Sequence, residues 1–172
     1  MTATDDQLWA WLSQVADPEI PVISVVDLGI VRGWHWRDNA QLEVVITPTY
    51  SGCPAMQAIA DDIRSALMQH GIQEVMIATQ LSPAWTTDWM SESGKQKLQA
   101  YGIAPPAQRA SEQATESIID ISAMLSRNAP TIACPQCGSS HTRLISQFGS
   151  TACKALYRCS DCLEPFDYFK PH

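Results

Sequence analysis

Two closely spaced pairs of cysteines near the end of the chain have the spacing of a metal site. Cys134 and Cys137 stand in "CPQCG", and Cys159 and Cys162 stand in "CSDC" about twenty residues later. Each pair can place two thiolates on a tight turn, and two such turns complete the tetrahedron that Zn²⁺ prefers. A segment of about forty residues is too short for a large core, so metal binding would supply folding free energy. We therefore predict a structural zinc site formed by these four residues.

The spacing leaves two alternatives for these cysteines and a question about a fifth. Disulfides are disfavoured where thiols stay reduced, whereas iron shares the tetrahedral thiolate geometry with zinc. Cys153 lies between the two pairs, in "STACKALYRC". It is either a buried apolar thiol or a thiol that engages a transferred metal or cluster.

Cys53 is isolated from the others by about eighty residues, in "TPTYSGCPAM". We predict it at the start of a helix, where N–H groups and the helix dipole favour a thiolate. It could be a nucleophile, a structural cysteine that caps the helix, or a metal or cluster ligand. Iron–sulfur clusters usually take about four protein ligands, so Cys53 would need a second subunit or other groups. Asp17 and Glu19 are candidates, unless they only form a solvated turn after a helix.

Apolar periodicity predicts a small α+β domain over residues 1–103, with the order α-β-β-α-β. A first helix ends before "DPEIPV", and the stretches "GIVRGWHWR" and "QLEVVIT" predict a hairpin. A second helix is predicted over 54–70, with Pro54 at its first position and Gly71 at its C-terminal cap. A third strand follows in "QEVMIATQL", and then a further helix over 92–101.

The rest of the chain differs in composition from this domain. Residues 104–130 are rich in Ala, Pro, Gln and Ser and poor in large apolar side chains, which is typical of a linker. Residues 131–172 contain both cysteine pairs and are predicted to form a zinc-ribbon module.

Charge and hydropathy argue against several classes of function. The 172-residue chain has a net charge of −7, and this excess of acid lies in residues 1–103, since acids and bases balance in residues 104–172. Without a basic stripe, nucleic-acid binding is not expected. No apolar run reaches the roughly 20 residues of a membrane span. "MTATDDQLWAW" lacks the features of a secretory signal, so we expect a cytoplasmic protein that does not bind a membrane.

Two stretches, "DPEIPVISVVDLGIV" and "ITPTYSGCP", resemble the signatures of a family of small iron–sulfur maturation proteins. This family includes bacterial SufT and the eukaryotic cytosolic assembly targeting factor. The resemblance covers about residues 5–103 and implies the family's α+β fold and a transient iron–sulfur cluster. The family's reactive cysteine, acidic motif and threonines fall on Cys53, on Asp17, Pro18 and Glu19, and on Thr47 and Thr49.

With the tail included, the whole chain is similar to the D-protein family of bacterial phenylacetate degradation. This similarity implies an accessory role in the maturation of a phenylacetyl-CoA epoxidase, with its di-iron catalytic subunit or its flavin and [2Fe–2S] reductase as partner. The sequence has no Glu-x-x-His pair, Rossmann fingerprint or Walker A loop, as expected for a chain that is not an enzyme. The alternative is a structural or regulatory subunit of the oxygenase. A cluster shared between two Cys53 residues would require a homodimer.

Overall fold

Two compact units make up the chain in the computed structural model, which describes residues 3–37, 41–50, 52–106 and 132–171. The first unit is Met1–Tyr101 together with His172, and the second is Gly102–Pro171. None of the helices within the described ranges combines the length and apolar character needed to cross a membrane.

The first unit contains three helices and one three-stranded sheet. Its helices are α1 (Asp5–Leu12), α2 (Met56–Gln69) and α3 (Glu92–Tyr101). Its strands are β1 (Val31–Trp36), β2 (Leu42–Ile46) and β3 (Val75–Thr79). β1 and β2 are antiparallel and form the predicted hairpin, while β3 runs parallel to β2 after the α2 crossover. The predicted α-β-β-α-β order and the additional helix are confirmed.

Helix α2 covers the sheet of the first unit with its apolar face. It buries Ile59, Ile63 and Leu67, which recur at helical spacing. The helix begins at Met56, so the prediction that Pro54 is its first residue was wrong: residues 54 and 55 form a turn before it. Gly71, with φ +91°, follows the helix as predicted.

The second unit is a four-stranded sheet with the order β4-β7-β6-β5. Its strands are β4 (Ile103–Ala104), β5 (Thr142–Ser146), β6 (Lys154–Cys159) and β7 (Pro165–Phe169). A small core packs around Tyr157, Phe166 and Tyr168. Only a few large side chains are buried there, as expected for a unit that relies on a metal.

The boundary between the predicted domain and the predicted linker falls inside β4. Ile103 and Ala104 pair with Asp167 and Tyr168 of β7 and so belong to the sheet of the second unit. Residues 107–131, most of the predicted linker, lie outside the described residues. The division into a maturation domain, a linker and a ribbon stays a prediction.

A buried carboxylate, Asp27, anchors the long segment that leads from α1 to β1. Its Oδ2 lies 2.6 Å from Nζ of Lys97 on α3 and accepts a hydrogen bond from Ser24 Oγ at 3.0 Å. Its Oδ1 accepts a hydrogen bond from Ser91 Oγ at 2.8 Å. Burial opposes ionisation, but Lys97, Ser91 and Ser24 together hold the pKa of Asp27 below its ordinary value. The segment that carries the "DPE" acids is thereby fixed to α3.

We expect Asp27→Asn to lower the free energy of unfolding of the first unit by about 2 kcal/mol at pH 7, because the ion pair with Lys97 is lost. All six tryptophans lie in residues 1–103, so urea unfolding followed by tryptophan fluorescence reports on this unit. Asp62→Asn, at an exposed position on α2, is the control and should change stability by less than about 0.5 kcal/mol.

The effect should also depend on pH. Because the folded-state pKa of Asp27 is lowered, its contribution is complete above the unfolded-state pKa of about 3.9 and is lost as the pH falls through the lower folded-state value. The unfolding free energies of wild type and Asp27→Asn should therefore converge in acid. A constant difference between them down to pH 2 would contradict this account.

Candidate metal centre and thiol site

The four paired cysteines of the second unit lie in one cluster. Their sulfur atoms are all within 4.8 Å of one another. Cys134 Sγ is 3.7 Å from Cys162 Sγ, and Cys137 Sγ is 3.6 Å from Cys159 Sγ. A tetrahedral zinc site with Zn–S bonds of about 2.3 Å has sulfur–sulfur edges of about 3.8 Å. The four sulfurs therefore fit a tetrahedral metal ion.

Two similar turns, one before β5 and one between β6 and β7, present these sulfurs. In the first turn, Gly138 N–H donates to Cys134 O at 2.8 Å, and Gly138 has a φ of +74°. In the second turn, Leu163 occupies the corresponding place after Cys162 and has a φ of +64°. This conformation is unfavourable for a leucine, and nothing in the sequence "CSDCLE" indicated it.

The surroundings of the four sulfurs favour one thiolate and oppose a second. The hydrogen bond from the backbone N–H of Cys162 is the main reason why the pKa of Cys159 is lowered to about 6. At Cys162 itself the Glu164 N–H also lowers the pKa, but burial and the three neighbouring thiols outweigh it and raise the value to about 12. Like charges this close cannot all form without a compensating cation. A divalent ion would supply that charge, and its binding would release the remaining protons.

Cys153 is not part of this cluster. It is buried immediately before β6, whereas Cys159 is the last residue of that strand. Its Sγ lies 3.0 Å from Thr151 Oγ1. This environment resembles that of a buried apolar thiol, and a role for Cys153 in transfer stays a prediction.

Cys53 lies in the turn that precedes α2, three residues before the first helical residue. Its N–H donates to Tyr50 O at 3.2 Å, and its carbonyl accepts from Met56 N–H at 3.3 Å. The side chain is half-buried. Gly52, with φ +92°, shapes the approach to this turn.

The thiolate that we predicted at Cys53 is not favoured by its surroundings. Burial raises the pKa of the Cys53 thiol, and hydrogen bonds from the Ala55 N–H and the Tyr50 side chain only partly oppose it. The negative charges of Glu19 and Asp17 raise it further. The expectation of a helix-stabilised thiolate was therefore wrong, because burial and the two carboxylates outweigh the hydrogen bond from the Ala55 N–H at the helix start.

Three of the predicted site residues, Asp17, Glu19 and Cys53, influence one another electrostatically. Asp17 is buried, and its Oδ1 accepts the N–H groups of Glu19 and Ile20, both at 2.8 Å. Asp17 is therefore fixed within the turn, whereas Glu19 is half-exposed. The negative charges of both act on Cys53, and a role of either acid as a ligand stays a prediction.

The two predicted threonines line a cavity of about 360 Å³ next to this site, with Tyr50 and Trp85 also in its wall. Thr47 is only 1% exposed, and its hydroxyl has no hydrogen-bond partner among the described residues. Thr49 is half-exposed. Tyr50 joins the cavity to Cys53 through its side-chain hydrogen bond.

Sequence reasoning missed Asp27, Tyr50 and Trp85 as residues that shape the site. Asp27 stands within "DPEIPVISVVDLGIV" and Tyr50 within "ITPTYSGCP", so both lie inside the stretches that carry the family resemblance. The Trp85 indole donates to Leu28 O at 2.9 Å, a contact between residues 57 positions apart. No local pattern announces such a contact.

Two family models match this chain. An iron–sulfur cluster assembly protein model matches residues 5–75. A model described as the PaaD zinc beta ribbon domain matches residues 120–170. Each match contains one of the two sites described above, Cys53 in the first and the four-sulfur cluster in the second.

Individual relatives cover the chain to different extents. A protein of Escherichia coli (strain K12), named as the putative D subunit of 1,2-phenylacetyl-CoA epoxidase, is 47% identical over 95% of this chain and 91% of its own length. A "Fe-S protein maturation auxiliary factor" of Porphyromonas gingivalis is 33% identical over 55% of this chain and 90% of its own length.

Among solved structures, a domain of unknown function, DUF59, from Bacillus anthracis superposes with a TM-score of 0.50. It is 28% identical to this chain and aligns with 55% of it and 90% of the solved chain. This match agrees with the α+β fold of the first unit. The chain thus belongs to the family of phenylacetyl-CoA epoxidase D subunits and combines an iron–sulfur cluster assembly domain with a zinc beta ribbon.

Proposed function

We propose that this chain is an accessory protein of a phenylacetyl-CoA epoxidase that helps to insert iron or an iron–sulfur cluster into a partner subunit. The observation that carries the proposal is the half-buried Cys53 thiol beside Asp17 and Glu19, within the residues that match the iron–sulfur assembly model. The name of the Escherichia coli relative supports the epoxidase connection, and that of the Porphyromonas gingivalis relative supports maturation.

The geometry of the Cys53 site suits a metal that arrives and leaves. The Glu19 and Asp17 carboxylates would attract a cation, while burial, together with their negative charge, keeps the Cys53 thiol protonated before the cation arrives. When iron binds, the S–H proton is released and a sulfur–iron bond forms, so binding strengthens as the pH rises. One thiolate with two carboxylates is a weaker ligand set for iron or a cluster than four thiolates, which favours onward transfer.

The four-sulfur cluster suits a metal that stays. Zinc bound by Cys134, Cys137, Cys159 and Cys162 would have a closed coordination shell and a structural role. We therefore propose no catalytic role for the ribbon. We also propose that the chain as a whole is an assembly factor and not an enzyme. The reductase or the di-iron subunit of the epoxidase is the proposed recipient, and the proposed location is the cytoplasm, without nucleic acid or membrane as partner.

The zinc site is tested by single Cys→Ser replacements at each of its four positions. Purified wild type should contain about one zinc per chain. Each variant should lose most of it and also lose protection of the β5–β7 amides from hydrogen exchange, because metal binding supplies folding free energy. Cys53→Ser is the control and should keep its zinc. Full zinc content in any of the four variants, measured by elemental mass spectrometry, would remove that cysteine from the ligand set.

The electrostatic account of Cys53 is tested by Glu19→Gln. Removing this negative charge should lower the pKa of the Cys53 thiol, so the pH profile of its alkylation by iodoacetamide should move to lower pH. The rate is read at the Cys53 peptide by mass spectrometry, which separates it from the other five cysteines. Glu74→Gln, at an exposed position, should leave the profile unchanged. A Glu19→Gln profile that coincides with wild type would show that the carboxylate does not act on the thiol.

The function itself is tested by making the other epoxidase components in cells with this chain, without it, and with Cys53→Ser. Components made without it or with Cys53→Ser should contain less iron or cluster, and the purified mixture should be correspondingly less active. Zinc content and thermal unfolding of Cys53→Ser should match wild type, which separates loss of function from loss of fold. Full cofactor loading without the chain, with activity restored as soon as it is added to the assay, would establish a structural role in the complex instead.

A further inference from the structure

The edge strand of the ribbon presents a basic and apolar surface to solvent. β5 is the last strand in the order β4-β7-β6-β5 and pairs only with β6 among the described strands. We use the term β5 surface for four exposed residues and one half-exposed residue that follows β7: Arg143, Ile145, Phe148 and Arg158, with the half-exposed Lys170.

Two arginines of the β5 surface stand directly opposite each other. Arg143 of β5 is the antiparallel partner of Arg158 of β6, so both side chains project from the same face of the sheet. Both residues are exposed, and neither forms an ion pair within the described part of the chain. Arg158 Nε donates to Leu163 O at 3.1 Å, which leaves its charge uncompensated. Like charges in directly opposed positions destabilise a sheet, and an anionic partner would relieve this repulsion.

Apolar side chains and a third cation lie along the same edge. Ile145, at a bulge in β5, is 49% exposed, and Phe148, just after the strand, is 68% exposed. Lys170 Nζ lies 4.8 Å from the centre of the Phe148 ring and donates to Gln147 O at 3.1 Å. Exposed large apolar residues beside cations form the kind of surface that binds protein.

The three acids of the described ribbon, Asp161, Glu164 and Asp167, form no ion pair with these cations, and Glu164 is exposed. Asp161 pairs with His141 and accepts a hydrogen bond from Ser139. Asp167 pairs with the buried Lys154 and accepts a hydrogen bond from Ser150. The positive charge of the β5 surface is therefore available to a partner.

Charge and composition favour an acidic protein segment over a nucleic acid. Three cations make a small footprint for a phosphate backbone. A carboxylate can pair with an arginine through two hydrogen bonds, while aliphatic residues of the same segment cover Ile145 and Phe148.

We propose that the β5 surface docks an acidic, partly apolar segment of another epoxidase component, so that the ribbon is the element that selects the recipient. This inference rests on the proposed function for the identity of the recipient. It adds a role to the zinc, which would hold the docking surface in shape rather than take part in transfer.

The test measures binding of the full-length, zinc-loaded protein to each purified epoxidase component by biolayer interferometry. Arg143→Glu with Arg158→Glu should weaken binding to the recipient by at least about tenfold, and wild-type affinity should fall as salt is raised. Arg64→Glu with Lys95→Glu changes the net charge equally in the first unit and should bind like wild type. Charge reversal alone could disturb the fold, so Arg143→Gln with Arg158→Gln is the second, milder variant. It should give an intermediate loss of binding.

The outcomes separate this inference from the proposed function. Unchanged binding by both arginine double variants overturns the docking surface, and the cofactor-loading experiment above still decides the maturation function. No binding of wild type to any component also overturns the docking inference, whatever the loading experiment gives. Binding of duplex DNA at 150 mM salt that needs the two arginines, or a wild-type dimer that their reversal dissociates, would assign the surface to nucleic acid or to a second copy.

Discussion

A charge that is removed from water must be compensated within the protein, and both units are organised around a place where this happens. In the first unit, the buried Asp27 carboxylate meets Lys97 at 2.6 Å and hydroxyl groups on both sides. In the second unit, four sulfurs within 4.8 Å of one another can ionise together only around a cation. Each arrangement joins segments that are far apart in the chain, so each also determines the fold.

The Asp27 network has a direct consequence for the thiol site. It fixes the segment that carries Asp17 and Glu19, and two backbone N–H groups hold the Asp17 carboxylate in this turn, whose negative charges raise the pKa of Cys53. A free carboxylate on a mobile segment would move away from a buried thiol. Burial and these fixed charges together raise the pKa of the Cys53 thiol, and the charges also create a negative potential that attracts a cation. The same arrangement would disfavour reaction of the thiol with electrophiles and would attract a cation, as the proposed function requires.

Local sequence pattern was sufficient for the helices and strands of the first unit and for the cysteine cluster. Alternating apolar residues predicted the β1–β2 hairpin, helical spacing predicted α2, and paired cysteines predicted the turns that meet at the metal site. It failed where distant residues decide the outcome. The Asp27–Lys97 pair spans 70 positions, and the pKa of Cys53 depends on acids more than thirty residues earlier in the chain. No sequence signal predicted the left-handed backbone of Leu163. Glycine usually occupies such a position, as Gly138 does in the first turn, and leucine rarely does.

On the proposed function, the contrast between the four-sulfur cluster and the Cys53 site explains why one chain would contain both. Four thiolates around zinc leave no open position, so a partner cannot remove the ion without unfolding the ribbon. At the Cys53 site a single thiol and two carboxylates must first lose a proton to bind metal, which lowers its affinity near neutral pH. Metal would therefore remain in the ribbon and pass through the Cys53 site. A Cys53 site that held its metal as tightly as the ribbon could not deliver it, so the proposed transfer requires the weaker ligand set at Cys53.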